Sequence, residues 1–302
     1  MPKKLKALKK ALFPIKYLKR EADQMAAQLA RQELEIDALK KELRALRHVV
    51  PFDKSAFARL MQPLAPHRAT AVEKARVGAA GDGGYVMLDD FRGIDAAYSL
   101  GIGADVSWDL AVAQRGIPVF QYDHTVEEPP AAHERFHFHR QKIGAQPDAA
   151  RQTVSLGQLL RHHGHEGQNL ILKIDIDGAE WEVLDAMDEN LFPCFRQMVC
   201  ELHDLNRFVD PAWYARAARV IAKLTRHHRL VHVHGNNYVA PFWNGFADFP
   251  DVLEATFALT SAYDLTASDE VFPGPYDCPN ARDTPDIPLG HFRFEDTPPG
   301  PA

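Results

Sequence analysis

The stretch Leu170-Ile-Leu-Lys-Ile-Asp-Ile-Asp-Gly-Ala-Glu-Trp-Glu-Val-Leu184 decides the fold class of this chain. Its first five residues form a short apolar run that is typical of a buried parallel strand. The run stops at two carboxylates, Asp175 and Asp177, and a glycine, and a predicted helix comes next. In open α/β sheets, ligands bind just beyond the carboxyl ends of the strands. The stretch therefore predicts an α/β fold with acidic groups at its ligand-binding edge.

Predicted strands and helices alternate on both sides of this stretch, which is typical of βαβ units and a parallel sheet. The candidate strands are 96–100, 119–122, 136–139, 170–174, 198–202, 230–234 and 253–259. The candidate helices are 108–114, 156–162, 180–187 and 212–224. The last thirty residues are rich in proline and lack periodicity, so we expect them to run over the surface.

Composition favours one large domain with an appendage, because 302 residues of which 46% are apolar can bury a full-size core. The three cysteines are scattered and odd in number, which favours a reducing compartment over a disulfide framework. The sequence has neither an apolar run long enough to span a bilayer nor the features of a signal peptide. We therefore expect a cytoplasmic protein.

The positive charge is concentrated at the N-terminus. Residues 1–50 hold 13 Lys/Arg and 6 Asp/Glu, a charge of +7. Because the net charge of the chain is −6, the other 252 residues carry a charge of −13. An acidic body argues against nucleic acid as a partner. Residues 1–20 contain eight Lys/Arg and no acid, with leucines at helical spacing. A basic amphipathic helix of this kind can lie on an anionic membrane surface, which would place the protein there.

A heptad repeat occupies residues 15–50. Apolar residues fill nearly all of its a and d positions, and only Ala22 and Gln32 interrupt the seam. Glu35 and Glu42 stand where they can pair with basic e positions in a parallel dimer. We therefore expect residues 1–50 to form a basic amphipathic N-terminus and a long coiled-coil helix that makes the protein a homo-oligomer, and residues 51–302 to form the enzyme domain.

A glycine-rich loop follows the first strand of the predicted sheet. Gly101 and Gly103 permit a tight turn and close approach of a ligand, and Asp105 or Ser107 can cap the next helix. Asp123 ends the next strand, placed to accept hydrogen bonds from the ribose hydroxyls of a nucleotide-like cofactor. A dinucleotide fingerprint needs a third glycine where this chain has Val106. S-adenosylmethionine has no phosphate to bind, so it is the better candidate.

Several blocks of the sequence resemble the FkbM-like S-adenosylmethionine-dependent methyltransferases. The stretch around Asp175 is similar to their "KIDIEGAE" signature, with Asp177 where the family usually has Glu. Other blocks, over about residues 75–290, are similar to the family's remaining motifs; they are Asp82-Gly-Gly-Tyr85, Phe138-His with Ile143-Gly144, Glu201-Leu-His203, Val233-His-Gly-Asn-Asn237, and residues 250–256 and 278–287.

The resemblance implies a Rossmann-like, seven-stranded, mostly parallel sheet with helices on both faces. It also implies O-methylation of a hydroxyl, often on a sugar, with S-adenosylmethionine as the cofactor. We expect the loop of Asp82 and Gly84 to approach the methionine part of that cofactor. Gly101, Gly103, Asp105, Asp123 and Asp175 complete the predicted cofactor site.

A sugar hydroxyl is a poor nucleophile, so a base or a metal ion must help to remove its proton. His203 is our first choice for the base, because imidazole titrates near neutrality, with Asp175 and His234 as the other catalytic candidates. Alternatively, Asp175, Glu201 and His203 could hold a divalent metal. The spacing shows no dedicated ligand motif, which favours the metal-independent form.

The sequence thus predicts an S-adenosylmethionine-dependent O-methyltransferase for a sugar, a glycan or a related metabolite. A non-catalytic coiled-coil assembly protein with a degenerate methyltransferase fold is the alternative, and a nicotinamide-dependent oxidoreductase is disfavoured by Val106. Two further groups of histidines, His133 to His139 and His162 to His165, are interpreted as surface residues rather than a metal site.

Overall fold

The computed structural model describes residues 54–295 and, ahead of them, Met25, Gln28 and Gln32, which are helical and exposed. The chain divides into two units, Met1–Phe52 and Asp53–Ala302, and the central sheet belongs to the second. Apart from those three residues, the predicted basic helix and coiled coil lie outside the described residues. Among the residues that are described, no helix is both long and apolar enough to cross a membrane.

Seven strands form the central sheet, and we number them in chain order. They are β1 (Ala96–Leu100), β2 (Val119–Tyr122), β3 (Phe136–His139), β4 (Leu170–Ile174), β5 (Phe195–Leu202), β6 (His228–Gly235) and β7 (Leu253–Leu259). β1, β2, β3, β4 and β7 agree with the predicted bounds, and β5 and β6 begin a few residues earlier. All but the edge strand β3 are mostly buried. All five residues of β4 are buried, as expected for a strand covered on both faces.

The strands lie in the order β6-β7-β5-β4-β1-β2-β3. β7 is antiparallel to both of its neighbours, and the other strand pairs are parallel. The prediction of a seven-stranded, mostly parallel sheet is therefore confirmed. The chain runs outward from β1 to β3 and then returns to β4 on the other side of β1, so the loops after β1 and β4 diverge. Such a switch point is where open α/β sheets form their ligand crevice.

Helices connect the strands. They are α1 (Lys54–Met61), α2 (Ser107–Ala113), α3 (Leu156–His163), α4 (Glu180–Ala186) and α5 (Pro211–His227), with 3-10 turns at Gln62–Leu64, Ala149–Arg151, Glu189–Cys194 and Leu205–Val209. Trp108 and Val112 of α2 share an apolar cluster with Val199 of β5. The next residue, Cys200, points to the opposite face, where burial, together with the charge of Glu180 in α4, raises the pKa of its thiol. Helices thus contact both faces of the sheet.

Short strand pairs surround the sheet. They are His67–Ala69 with Leu265–Ala267, Lys74–Val77 with Tyr85–Leu88, Lys142–Ile143 with Thr153–Val154, and Phe242–Trp243 with Asp248–Phe249. The hairpin of Lys74–Val77 and Tyr85–Leu88 bears on the site, because it carries the loop of residues 78–84. Gln197 of β5 holds this hairpin by bonding both the amide and the carbonyl of Leu88, at 2.9 and 3.0 Å.

Candidate active site

A cavity of about 530 Å³ opens at the carboxyl edge of the sheet, between the loops after β1 and β4. Its size is within the range of small-molecule sites. It is lined by Asp82, Gly83, Tyr85, Gly101, Ile102, Gly103, Ala104, Asp105, Tyr122, Asp123, His124, Thr125, Gln141, Lys142, Ile143, Lys173, Asp175, Ile176, Asp177 and Ala179. Most of the predicted cofactor residues therefore meet at one cavity.

The loop after β1 passes so close to the loop after β4 that it requires a glycine. Gly101 has φ of +79°, and a Cβ at this position would stand 1.7 Å from the carbonyl oxygen of Asp175. Lys173 adds a further link, because its Nζ donates to the carbonyl of Gly101 over 2.6 Å. The two loops that frame the cavity are thus locked together at Gly101.

Asp123 fastens the other end of the glycine loop. Its Oδ2 accepts hydrogen bonds from the amides of Ile102 and Gly103, at 3.0 and 2.9 Å, and its Oδ1 accepts from the amide and hydroxyl of Thr125. Burial raises the pKa of this carboxyl, but the bonds from Thr125 and the loop amides outweigh burial and lower it. Asp123 lines the cavity as predicted, yet its bonds to the protein already occupy both oxygens.

The loop of residues 78–84 covers a second side of the cavity. Arg76 holds this loop by donating to the carbonyls of Ala79 and Gly84, at 2.6 and 2.8 Å. Asp82 and Gly83 line the cavity. Gly84 does not: it is buried, and a Cβ there would stand 2.0 Å from the carbonyl oxygen of Ala79. This close packing on Ala79 requires a glycine at position 84, and the approach of Gly84 to the cofactor stays a prediction.

Asp105 is placed by the start of α2. Its Oδ1 accepts a hydrogen bond from the amide of Ser107 over 2.7 Å, but the N-cap residue of α2 is Val106, so the predicted side-chain cap is not formed. Ser107 in turn ties α2 to the loop of residues 78–84, because its hydroxyl accepts from the amide of Ala79 and donates to the carbonyl of Gly83. Asp105 therefore reaches the cavity from a point where three segments are joined.

The turn between β4 and α4 explains the one departure from the family signature. Asp177 has φ of +53°, and Gly178 comes next with +93°. Aspartate adopts this left-handed region more readily than most residues, so Asp suits position 177 at least as well as Glu. Asp177 also lines the cavity.

Asp175 lies where the cavity meets a group of buried polar side chains. Its Oδ2 is 3.7 Å from Nζ of Lys173 and accepts a hydrogen bond of 3.4 Å from the hydroxyl of Tyr85. The same hydroxyl donates to Glu201 over 2.9 Å. Sequence reasoning gave Lys173 no part in the site, although a lysine in an otherwise apolar strand was a signal for it.

His203 lies between two carboxylates at the end of β5. Its Nδ1 is 3.2 Å from Glu180 and its Nε2 is 3.6 Å from Glu201. Burial disfavours the charged ring, but the hydrogen bond to Glu180 and the charges of Glu180, Glu201 and Asp175 outweigh it and raise the pKa of His203 to about 9. The expectation that His203 titrates near neutrality is corrected: at neutral pH its ring carries a proton.

Glu201 is also buried, and its pKa is raised well above the ordinary value. Desolvation is the main cause, and the charges of Asp175 and Glu254 add to it. The carboxyl of Glu201 therefore holds its proton to a higher pH than an ordinary glutamate does. The carboxyl of Glu201 interacts electrostatically both with His203 and with Glu254 on β7.

His234 does not line the cavity. It is 1% exposed, and its ring nitrogens lie 3.1 Å from Glu254 and 2.9 Å from Asp286. Burial disfavours its charged form, but these carboxylates raise its pKa to about 9. The structure therefore does not bring His234 to Asp175 and the cavity, because the residues around 286, expected only to run over the surface, bind it instead.

Two groups of side chains have the spacing of metal ligands. Asp175, Glu180 and His203 form one group, and Asp82, Glu201 and Glu254 form the other, with all ligand atoms of a group within 4.8 Å of one another. The predicted candidates Asp175 and His203 fall in the first group, with Glu180 in place of Glu201. Glu180 was missed because it lies beyond the strand end, on the first turn of α4.

The two predicted groups of histidines gather at the far edge of the sheet, around β3 and the end of α3. His163 and His165, near the end of α3, share hydrogen bonds of 2.7 and 2.8 Å with the hydroxyls of Tyr122 and Tyr98. Phe120 lies beside them, with its ring centroid 4.5 Å from that of His163 and 4.7 Å from that of His137. Neither metal-ligand group found in residues 54–295 includes these histidines. They pack with aromatic rings instead.

The sheet order and the crevice between β1 and β4 define the class: this is a Rossmann-like α/β protein whose ligand cavity lies at the switch point. Residues 110–237 match the family model of the methyltransferase FkbM domain. This match, over less than half of the chain, confirms the resemblance to the FkbM-like methyltransferases that was seen in the sequence. A comparison with curated proteins found no match. The matched residues include Asp123, Asp175 and His203.

Proposed function

We propose that the chain is an S-adenosylmethionine-dependent O-methyltransferase that acts on a hydroxyl of a sugar, a glycan or a related metabolite. The observation that carries the proposal is one cavity of about 530 Å³ that is lined both by the glycine loop with Asp123 and by Asp175 with Tyr85 and Lys173. The glycine loop suits a nucleoside, and the carboxylate of Asp175 suits a group that must lose a proton.

The charge of the cavity supports this choice of cofactor. Its lining holds five carboxylates and two lysines, namely Asp82, Asp105, Asp123, Asp175 and Asp177 against Lys142 and Lys173. S-adenosylmethionine carries a sulfonium, an ammonium and one carboxylate, so its net charge is positive, and a negative cavity attracts it. A dinucleotide carries a pyrophosphate, which the same charges repel. The charged residues that line the cavity therefore favour S-adenosylmethionine and disfavour a nicotinamide cofactor.

Within this proposal, residues around the glycine loop hold the cofactor, which supplies an electrophilic methyl group when bound. Gly101 and Gly103 leave room at the backbone, and Asp82 and Asp105 offer carboxylates to its positive groups. Asp123 holds the loop in its binding conformation. Because its oxygens already accept four hydrogen bonds, a ribose hydroxyl must share or replace the bonds from Thr125.

Asp175 is our choice for the residue that receives the acceptor proton. It is the one member of the first metal-ligand group that also lines the cavity. As the new oxygen–carbon bond forms, the hydroxyl proton passes to the carboxylate of Asp175. Tyr85 and Lys173 fix this carboxylate, and fixed geometry supplies much of the acceleration of an in-line displacement. His203 is a positioning residue here, because it holds Glu180 and Glu201.

Titration calorimetry with S-adenosylhomocysteine tests the cofactor part. We expect binding at micromolar concentration, and we expect Asp105→Asn to weaken it by losing one charge at the cavity wall. Glu182→Gln, on the exposed side of α4, is the matched control and should bind as the wild type does. Absence of binding at high micromolar ligand, in protein that is folded by circular dichroism, would remove the proposal.

The acceptor part needs a separate measurement. Incubation with S-adenosylmethionine and a panel of glycans and hydroxylated metabolites should yield a methylated oxygen, detected by mass spectrometry. Asp175→Asn should lose this activity while still binding S-adenosylhomocysteine. A chain that binds the cofactor but methylates none of the panel would favour the alternative of a non-catalytic assembly protein.

The N-terminal residues enter the proposal as a means of recruitment. We propose that residues 15–50 form a parallel coiled coil, so that the basic residues 1–20 of two chains lie together and bind an anionic membrane surface multivalently. Light scattering should show a larger assembly for the full chain than for a version that begins at Pro51. A full chain that is monomeric at tens of micromolar would exclude this arrangement.

A further inference from the structure

The first metal-ligand group, Asp175, Glu180 and His203, draws its members from three separate elements. Asp175 comes directly after β4, Glu180 begins α4, and His203 comes directly after β5. The ligand atoms lie within 4.8 Å of one another at the carboxyl edge of the sheet. Two carboxylates and an imidazole, held on three elements around one point, are a set of hard and borderline ligands suited to a divalent cation.

Glu180 supplies an independent reason to expect a ligand. Its side chain is fully buried, and its Oε2 has no hydrogen-bond partner among the described residues. A buried carboxylate oxygen without a partner is costly. The side chain is nevertheless fixed, because its Oε1 accepts a hydrogen bond of 2.7 Å from the amide of Ile176. An oriented carboxylate with a free oxygen is what a bound cation would satisfy.

The carboxylates of the second group are bound differently. Asn280 donates from one amide nitrogen to both Asp82 and Glu254, and Tyr85 donates to Glu201. All three carboxylates of that group thus have protein donors. In the first group, by contrast, Oε2 of Glu180 is left without a hydrogen-bond donor among the described residues.

We propose that Asp175, Glu180 and His203 form a binding site for one divalent cation of the Mg²⁺ or Mn²⁺ kind. Binding of the ion would displace the ring proton of His203, because only the neutral imidazole is a metal ligand. Asp175 also lines the cavity, so the cavity would give an ion access to these three residues. An ion in this place would lower the pKa of a coordinated hydroxyl and so help Asp175 to remove its proton. This catalytic consequence rests on the proposed function, whereas the binding of the ion does not.

Binding of Mn²⁺ to the full chain tests the proposal directly. The protein is treated with EDTA and desalted, and the loss of the free Mn²⁺ signal in electron paramagnetic resonance is then followed. We expect one Mn²⁺ per chain, and we expect Glu180→Gln, which keeps the shape of the side chain, to weaken binding by at least roughly tenfold. Glu182→Gln is the control on the same helix, and its affinity should equal that of the wild type.

A second variant helps to distinguish the loss of a metal ligand from a folding defect. His203→Asn should also weaken Mn²⁺ binding, and circular dichroism shows whether either variant is folded. Wild-type protein that binds no Mn²⁺ at millimolar concentration would overturn the proposal, as would binding that survives both Glu180→Gln and His203→Asn. Titration of the EDTA-treated chain with S-adenosylhomocysteine separates the two proposals, because failure of either ligand to bind contradicts only its own site.

Discussion

The pKa values of histidines in two regions of this chain are shifted in opposite directions. At the carboxyl edge, His203 and His234 have their pKa raised to about 9. At the far edge, burial and neighbouring histidines lower the pKa of His163 to about 4. All three rings are at least partly buried, so desolvation acts on each of them in the same direction.

The difference lies in what surrounds each ring. Carboxylates from distant parts of the chain surround His203 and His234, and their charges exceed the cost of burial. Around His163 stand other imidazoles, namely His139, His162 and His165, together with Tyr122 and Phe120. Imidazolium groups repel one another, so their presence adds to the cost of burial. The same residue type therefore serves as a fixed positive charge in one region and as a neutral packing residue in the other.

The largest expected effect comes from removing a charged ring. His203→Leu leaves Glu180 buried without its partner, and loss of one member of a buried pair costs about 3–5 kcal/mol. His163→Leu should cost only about 1–2 kcal/mol, because it removes one hydrogen bond, to Tyr122, and adds apolar volume. Urea unfolding in the presence of EDTA compares the two variants. Equal losses would mean that the surroundings of the two rings do not differ in their effect on stability.

The second prediction uses alkaline pH and His234. Its folded pKa of about 9 lies above the ordinary 6.5, so its contribution to stability is complete below pH 6.5 and is lost as the pH rises through 9. The groups that face this ring are Glu254, Asp286 and Asp277. Wild-type protein should lose up to about 3 kcal/mol more than His234→Gln over this range. Parallel urea-unfolding profiles for the two proteins would contradict the assignment.

The third prediction uses acidic pH and His163. Its folded pKa of about 4 lies below the ordinary 6.5, so the unfolded chain takes up the proton first, and stability falls as the pH drops from 6.5 through 4. In His163→Gln the melting temperature should fall less steeply between these values than in the wild type. His291→Gln, an exposed histidine outside both groups, is the control and should keep the wild-type slope.

The smallest effect is expected at a surface ion pair on the same helix as Glu180. Glu182 lies 3.0 Å from Arg216, and its side chain is 55% exposed. Exposed pairs of this kind contribute less than about 1 kcal/mol, so Glu182→Gln should leave urea unfolding almost unchanged. A larger loss would show that α4 depends on its charges in general and not on the burial of Glu180.

The sequence predicted the architecture closely, and for a physical reason. A strand such as β4 is recognised from a short run of mostly apolar residues, and the acids that come after it lie at the carboxyl edge whatever the rest of the chain does. The family match of residues 110–237 agrees with that prediction. The glycine at 101 was also predictable, because a strand that ends in Gly-x-Gly before a helix requires a tight turn.

The roles of single side chains were less predictable. His203 and His234 both lie at the ends of strands, and sequence alone made both of them catalytic candidates. Only the tertiary structure separates them: His203 lies beside Asp175, which lines the cavity, whereas His234 is bound by Asp286, 52 residues further along the chain. Gly84 likewise packs on Ala79, so Gly83 reaches the cavity and Gly84 does not.

The sequence by itself therefore determined the set of elements, their class of fold and the edge at which the site lies. These depend on the periodicity and type of neighbouring residues, which are local properties. The protonation of His203, the partners of Asp123 and the free oxygen of Glu180 were decided by the tertiary structure. They depend on burial and on charges that other elements bring within a few ångströms, and no local pattern encodes those distances.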